Sequence, residues 1–522
     1  MNNVKLSAQS IKEKICNLFD KETFLTAFIV TIFVHGQMLF NKISWHDDIS
    51  LFNGWGDGLN HGRWFYHIME RWMSKCAGME PIPSFNGIVS SFSIAIMSCL
   101  ILDIFQIKNK VARFSLVLIF ASIPAVTGNF GYMVTAGLNF VGMTFAVIAA
   151  YVLCKTPVNG KGKWKGLIIS AFFLACAIGE YQCYLAFYLS LMLLFLIKKS
   201  IKESLSLERF ISTGVFYIVT ASAGLIIYLI ILQYYICVGR AVLTHYANTD
   251  TYGIVSLLEY FMRFKYAYRA FFNPSLVGHA SMFPVHNSTW YILLLVINSI
   301  ILLLFIIRFL IKKNIICLGV IVSILLIPAV LNFNFILYGN GTVHSLHQYH
   351  LVLLFVIPFI FLSDLAKEKN NIVIRLQRIL TSSSLIITLA WGFLYIRYDN
   401  YCYTLNEMRQ QKAISYFTTL STRIQTVRGY DPSYHVAFLN AENKANNVDK
   451  VNAKFDYPVT NPYNFPIVNS YNWYSFMENW TGYRPIIADV SAYAENPEVL
   501  DMPSYPSDGS IKIIGKTIVV KF

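Results

Sequence analysis

The chain has 522 residues, of which 56% are hydrophobic and 13% are charged, and its formal net charge is +14. This composition excludes an ordinary soluble enzyme and is typical of a polytopic α-helical membrane protein. The Lys and Arg residues occur in small groups between apolar segments rather than on one basic face. We therefore expect no nucleic acid partner.

Apolar windows of about 20 residues predict about eleven transmembrane helices. They lie near residues 23–41, 86–106, 112–127, 132–154, 164–179, 182–197, 211–237, 288–311, 315–338, 350–366 and 378–396. Lys- and Arg-rich connectors alternate with connectors that are nearly free of Lys and Arg where they are short. The positive-inside rule places the basic connectors and the N-terminus in the cytoplasm. We expect a multi-pass protein of a bacterial inner (cytoplasmic) membrane, with an active site that faces the periplasm.

The first predicted external loop, residues 42–85, begins with an adjacent pair of carboxylates. Asp47 and Asp48 follow the first span directly in the sequence SWHDDISLFNGWGDGLNHGRW. Acidic side chains at a membrane face are costly unless they have a function. We predict that the pair is catalytic and that either residue acts as a general base. The alternative is that the pair only caps a helix beginning at DISLFNGW.

The same loop contains further candidates for substrate binding. Asp57, His61 and Arg63 lie within one loop's length of the aspartate pair. A guanidinium binds phosphate through two parallel hydrogen bonds, so we predict that Arg63 binds a phosphate. The alternative is a salt bridge between Arg63 and either Asp57 or the aspartate pair.

A second long external connector, residues 239–287, contains the segment GIVSLLEYFMRFKYAYRA. Its mixture of aromatic, aliphatic and basic residues predicts a helix that lies in the membrane interface. Arg263, Lys265 and Arg269 would then face lipid phosphates, either those of the bilayer or the phosphate of a bound substrate.

Two short external segments supply the remaining candidates. Glu180, Tyr181 and Gln182 lie at the end of a span, and His344 and His347 precede the tenth. We predict substrate contacts for these residues; the alternative is a polar patch that only meets the interface. The spacing of the histidines favours no metal site, and the sequence predicts no cofactor, although a divalent metal ion at the aspartate pair is left open.

After Arg397 the composition changes to Asn, Tyr, Pro and charged residues. Residues 398–522 are therefore predicted to form a soluble α+β domain on the external face, and residues 1–397 to form the transmembrane domain. The domain opens with a helical pattern, NEMRQQKAISYFTTLSTRIQ, and ends with IKIIGKTIVVKF, which predicts a hairpin or paired strands.

The paired aspartates, the GRW at residues 62–64, the YQ at 181–182 and the C-terminal YPSDGSIKI resemble the Gtr-type glucosyltransferases that modify O-antigen in serotype conversion. These enzymes belong to the membrane-embedded GT-C class. The resemblance implies a GT-C-like transmembrane domain, a polyprenyl-phosphate-linked sugar as donor, and O-antigen or another glycan of the lipopolysaccharide as acceptor. Glucose as the sugar is implied by the resemblance alone. The resemblance also implies two partner proteins, a glucosyltransferase that synthesises the donor and a flippase, in addition to the membrane lipids.

Two other classes share some of these features. A polysaccharide polymerase or ligase also acts on lipid-linked glycans, but the first-loop aspartates and the soluble C-terminal domain favour a monosaccharide transferase. A flippase or transporter would place ionisable groups midway along its helices and show internal repeats. The predicted spans are nearly free of charge and show no repeat.

Overall fold

The computed structural model describes residues 20–43, 45, 47–50, 58–77, 82–160, 162–203, 205–244, 254–283, 288–311, 316–339, 343–365, 371–441, 448, 467–469 and 472–522. These residues are mostly helical. The α-helices are α1 (Lys21–Phe40), α2 (Asp47–Ser50), α3 (Trp64–Ala77), α4 (Pro83–Ile104), α5 (Lys110–Ser122), α6 (Pro124–Phe130), α7 (Met133–Lys155), α8 (Lys163–Glu180), α9 (Tyr184–Lys202), α10 (Leu207–Cys237), α11 (Leu257–Phe272), α12 (Ser288–Ile311), α13 (Cys317–Leu331), α14 (Phe333–Tyr338), α15 (Leu353–Leu365), α16 (Asn371–Gln425), α17 (Trp473–Thr481), α18 (Ser491–Ala494) and α19 (Pro497–Leu500). Short 3₁₀ helices cover Leu59–His61, Pro274–Ala280 and Ser345–Val352.

The chain divides into two compact units. Of the described residues, the first unit holds those of 20–40 and 58–400, and the second holds those of 41–50 and 401–522. The division falls within α16, close to the boundary that the change in composition predicts. The short segment that carries Asp47 and Asp48 groups with the C-terminal part of the chain rather than with the rest of the first loop.

Each predicted span overlaps helical structure, and within the described part of the chain eight helical segments are long and apolar enough to cross a membrane. Three predicted spans correspond to α8, α9 and α13, which are not among the eight, and α13 is a shorter apolar helix. The protein is therefore a polytopic helical membrane protein, and the number eleven stays a prediction.

The centre of the first unit is formed by α4, α7 and α8. Helix α7 packs against α4 and α8, α1 packs against α4, and α10 packs against α8. The apolar stretch at residues 110–130 is interrupted because Ile123 has an extended conformation before Pro124, which opens α6. A residue before proline is disfavoured in the α region, so this break follows directly from the sequence.

The second unit contains a four-stranded sheet in the order β2–β1–β4–β3. Strand β1 (His435–Leu439) is parallel to β2 (Ile486–Ile487) and β4 (Thr517–Lys521), and β3 (Ile511–Ile514) is antiparallel to β4. The predicted C-terminal hairpin is confirmed. The predicted helix at NEMRQQKAISYFTTLSTRIQ is confirmed as the last part of α16, where it continues the preceding apolar helix without a break.

Candidate active site

The GRW motif and the EYQ segment, which are far apart in the sequence, are in contact in the first unit. The side-chain amide of Gln182 donates to the carbonyl of His61 at 2.9 Å and to the hydroxyl of Tyr228 at 3.1 Å. That hydroxyl in turn donates to the carbonyl of Gly62 at 3.1 Å. Helix α10, which carries Tyr228, therefore holds both motifs in one place.

The packing of Trp64 brings the two motifs close together. A Cβ atom on Gly179 would lie 2.6 Å from the indole ring of Trp64, so only glycine allows this approach. Trp64 is the first residue of α3, and its side chain is buried. Arg63, the residue before it, is thereby placed beside the end of α8.

The guanidinium of Arg63 lies over the ring of Tyr181, 3.8 Å from the ring centroid. At this distance a cation is attracted by the electron-rich face of the aromatic ring. The hydroxyl of Tyr181 lies 2.6 Å from Nε2 of His347. Three segments of the chain therefore meet around one tyrosine.

The tautomer of His347 follows from its second ring nitrogen. The backbone N–H of His344 donates to Nδ1 of His347 at 3.1 Å. Because Nδ1 accepts this bond, the proton of the neutral ring is on Nε2, which donates to the oxygen of Tyr181. The amide of Asn334 further fixes the segment by donating to the carbonyl of His347 at 2.7 Å. The backbone N–H of His344 thus helps to fix the ring of His347.

Glu180 is the unusual member of this group. Its side chain is 1% exposed, and neither carboxylate oxygen has a hydrogen-bond partner among the residues that the structure describes. Arg63 attracts it electrostatically and Glu70 repels it. A buried carboxylate without hydrogen bonds is costly, and such groups concentrate at functional sites.

The space for Glu180 is provided by α7. A Cβ atom on Gly142 would lie 2.4 Å from Cγ of Glu180 and 2.8 Å from the ring of Tyr184. Any larger residue at 142 must therefore displace the carboxylate. We refer to Arg63, Glu180, Tyr181, Gln182 and His347 as the Arg63 cluster.

The aspartate pair lies in the second unit, in the short helix α2. Asp48 is fully buried and Asp47 is half-buried. Burial lowers the pKa of Lys42, and the neighbouring Asp48 carboxylate opposes this shift. The backbone on both sides of the pair is held, because Gln410 donates to the carbonyl of Lys42 at 2.9 Å and Asn479 to that of Ile49 at 3.0 Å.

The alternative in which the pair caps a helix required a helix at this point, and α2 is that helix. Both carboxylates lie in its first turn, where negative charge is favoured by the helix dipole. The helix has only four residues, however. Stabilising it does not by itself explain why Asp48 is completely buried.

His61 has a structural partner. Its Nδ1 lies 2.9 Å from the hydroxyl of Thr244, and the adjacent Asn60 accepts from the backbone N–H of Val242 at 2.8 Å. These bonds join the first loop to the segment after α10. Asp57 lies outside the described residues.

The predicted interfacial helix is α11, and its three basic residues differ. Nε of Arg263 donates to Glu259 at 2.9 Å, and its Nη1 donates to the carbonyl of Leu337 at 3.0 Å. The side chain of Arg263 is only 10% exposed. Lys265 and Arg269 are exposed. Arg263 therefore holds α11 against the end of α14, whereas Lys265 and Arg269 are the accessible cations.

The exposed surface of α11 is also apolar. Leu257 is 87% exposed, Leu258 72% and Phe261 63%. Exposed leucines and phenylalanines together with Lys265 and Arg269 are typical of a helix in a membrane interface.

The side chains of His344, His347 and His350 do not converge on one possible metal position. Nε2 of His350 bonds the carbonyl of Leu331 at 2.7 Å, while His347 faces Tyr181. Within the part of the chain that the structure describes, no group of three or more His, Cys, Asp or Glu side chains could hold a metal ion.

Three contributors to the Arg63 cluster were not identified from the sequence: Gly142, Tyr228 and Glu70. Gly142 and Tyr228 lie within apolar helices, where a glycine usually indicates close helix packing and a tyrosine the membrane interface. The sequence contains no signal that connects them to residues 62–64 or 180–182.

Comparison with known proteins identifies the chain. The family model described as Glucosyl transferase GtrII matches residues 36–363, more than half of the chain. No curated protein and no solved structure matches. The matched range includes the aspartate pair and every member of the Arg63 cluster. The resemblance that these motifs indicated is thus confirmed, and the chain belongs to the Glucosyl transferase GtrII family.

Proposed function

We propose that this protein moves a single glucose unit from a polyprenyl-phosphate donor to O-antigen or a similar glycan at the periplasmic face of the inner membrane. The observation that carries the proposal is the Arg63 cluster, in which a phosphate-binding residue type lies beside an aromatic ring and a buried carboxylate. Family membership supports glucose as the sugar. A separate glucosyltransferase and a flippase would supply the donor.

The departing group in this reaction is a lipid phosphate. Its negative charge increases as the bond between the anomeric carbon and the phosphate oxygen breaks, so a fixed cation lowers the barrier. Arg63 suits this role, because its guanidinium matches a phosphate geometrically and the ring of Tyr181 supports it from one side. Lys265 and Arg269 are accessible to the phosphates of lipids at the interface.

The acceptor hydroxyl must lose a proton as its oxygen bonds to the anomeric carbon. Asp47 and Asp48 are our candidates for the base that takes this proton. Asp48 is fully buried, whereas Asp47 is half-buried. The two carboxylates therefore have different surroundings, which allows one to act as base and the other to orient a hydroxyl.

The remaining members of the cluster are suited to binding the sugar. The oxygens of Glu180, which have no hydrogen bond within the described part of the chain, can accept hydrogen bonds from sugar hydroxyls, and the ring of Tyr181 offers an aromatic surface. His344 and His347 orient that ring. We assign Gln182 to positioning, because its amide nitrogen is engaged by His61 and Tyr228.

The test is the mass of lipopolysaccharide from cells with and without the protein. We expect one additional hexose for each repeating unit when the protein is present. A change in chain length without added hexose would indicate a polymerase or ligase instead, and unchanged glycan in cells that contain the protein would contradict the proposal.

The same assay tests the aspartate pair. At least one of Asp47→Asn and Asp48→Asn is expected to accumulate normally in the membrane and to lose about 10²- to 10⁴-fold of the transfer rate, as for loss of a general base. Near-normal hexose addition by both variants would leave capping of α2 as the role of the pair.

A further inference from the structure

A second polar site lies at the other end of the first unit's helices. A cavity of about 150 Å³ opens where α4, α7 and α9 end. Four lysines, one glutamate and several uncharged residues line it: Lys155, Lys198, Lys199, Lys202, Glu203, Gln106, Ile104, Cys154 and Phe195. These lysines belong to connectors that the positive-inside rule places in the cytoplasm.

The positive charge of this cavity is only partly balanced. Lys155 pairs with Asp103 at 2.8 Å. Among the described residues that line the cavity, Glu203 is the acidic one. Like charges in a small cavity repel one another, and a bound anion removes that cost.

Another cavity, of about 190 Å³ and lined by residues at the starts of α1 and α5, shows the opposite arrangement. There Arg113 pairs with Asp20 at 2.7 Å and Lys110 pairs with Glu22 at 2.8 Å. Two of its three basic residues are thus neutralised by the protein itself. The comparison shows that basic residues at helix ends are not always left with few acidic partners. The excess of lysine around the first cavity is therefore a specific feature of that cavity.

Lys198 gives the second reason to expect a ligand. Lysines at helix ends usually extend their ammonium groups into water, but Lys198 is only 5% exposed and its ammonium donates to the carbonyl of Phe105. Lys202 is exposed, but its ammonium is held at the cavity by donating to the side-chain oxygen of Gln106 at 2.7 Å. The ammonium groups are therefore organised around the cavity.

We propose that this cavity binds the phosphate of an anionic membrane lipid. Basic pockets between membrane helices on the cytoplasmic side are suited to such headgroups. The lysines would hold the phosphate, and Ile104 and Phe195 provide an apolar wall that a free phosphate ion would not use. This site is independent of the Arg63 cluster and of the transfer reaction.

The test uses the purified full-length protein in neutral detergent. Phosphatidylglycerol and, separately, phosphatidylcholine with the same acyl chains are titrated, and the thermal unfolding midpoint is followed by tryptophan fluorescence. Phosphatidylglycerol should raise the midpoint with a saturable dependence, because a ligand of the folded state stabilises it. Equal responses to both lipids would overturn the proposal.

The site is then located by two double variants with the same loss of charge. Lys199→Gln/Lys202→Gln should weaken the apparent affinity for phosphatidylglycerol by about tenfold or more, and both residues are exposed enough for substitution without loss of folding. Lys163→Gln/Lys165→Gln, in α8 and outside the cavity, should change it less than about twofold. Equal losses in the two variants would show general attraction to a basic surface and overturn the proposal.

Inorganic phosphate distinguishes the two sources of the ligand group. We expect it to compete with phosphatidylglycerol at millimolar concentration without matching its stabilisation. If inorganic phosphate alone raised the midpoint as much as the lipid does, a soluble anion would be the ligand and the lipid assignment would fall.

Discussion

Two arginines of the first unit, Arg63 and Arg263, were both expected to bind phosphate, and the structure separates them. The guanidinium of Arg263 donates hydrogen bonds to Glu259 and to the carbonyl of Leu337. These two bonds within the protein explain its position without a substrate. Arg63 lies instead over an aromatic ring, beside a buried carboxylate whose oxygens have no hydrogen bond among the described residues. We therefore propose that the buried Arg263 serves structure and that the half-buried Arg63 serves the substrate.

The largest expected effect comes from removing these arginines one at a time. Arg63→Ala should lower glucosyl transfer by about 10²- to 10³-fold, the usual cost of losing a group that stabilises developing negative charge. Its thermal unfolding should change by only about 1 kcal/mol, the typical contribution of a cation that lies over an aromatic ring.

Arg263→Ala is the matched control. It should cost about 1.5–3 kcal/mol of stability, because hydrogen bonds to a charged group are lost, while transfer per folded molecule stays within about threefold. Transfer rates and thermal unfolding midpoints, measured on the same purified samples, distinguish a role in the reaction from a role in stability for each arginine. The reverse pattern would assign Arg63 to structure.

The second prediction concerns the two glutamates beside these arginines. Glu180→Gln keeps the shape of the side chain but replaces one carboxyl oxygen with an amide group, so transfer should fall by about 10- to 100-fold. Stability should change little, because the carboxyl group has no hydrogen bond among the described residues that could be lost.

Glu259→Gln provides the comparison, since the side chain of Glu259 is 49% exposed and pairs with Arg263. It should lose little stability, as is typical of an exposed ion pair, and should keep its transfer rate. A Glu180→Gln variant that is as active as the wild type would remove this carboxylate from the site.

The third and smallest effect tests the space around Glu180. Gly142→Ala introduces a Cβ atom 2.4 Å from Cγ of Glu180, and overpacking of this kind costs about 1–3 kcal/mol. Transfer should fall about tenfold as the carboxylate is displaced.

Gly137→Ala, in the same helix, is the control, because its Cβ would meet no atom closer than 3.4 Å. Alanine is the better helix former by about 1 kcal/mol, so this variant should be as stable as the wild type or more stable. Similar losses in the two variants would mean that the effect of Gly142→Ala does not arise from its contact with Glu180.

The sequence was sufficient for the features that depend on local pattern. Apolar runs located the helices, the β-branched C-terminal residues located the hairpin, and the motifs at residues 62–64 and 181–182 indicated the family. It was also sufficient to name the members of the Arg63 cluster, since each has an unusual residue type at the end of an apolar segment.

The sequence could not provide the arrangement of these residues. The bonds from Gln182 to His61 and from His347 to Tyr181 join segments more than 100 residues apart, and no local pattern encodes such contacts. Gly142 was missed because a glycine in an apolar helix has many ordinary explanations. Arg263 and Lys265 could not be distinguished because the side of an amphipathic helix that is buried depends on its neighbours, here α14.

The most direct test of the account is donor binding by arginine variants that keep the charge. Wild type, Arg63→Lys and Arg263→Lys are reconstituted in lipid nanodiscs, and their affinity for polyprenyl-phosphate glucose is measured at equilibrium. A lysine cannot reproduce the two parallel hydrogen bonds of a guanidinium. We predict at least about tenfold weaker binding for Arg63→Lys and wild-type affinity for folded Arg263→Lys. Unchanged donor affinity in Arg63→Lys would contradict the central claim that Arg63 binds the donor phosphate.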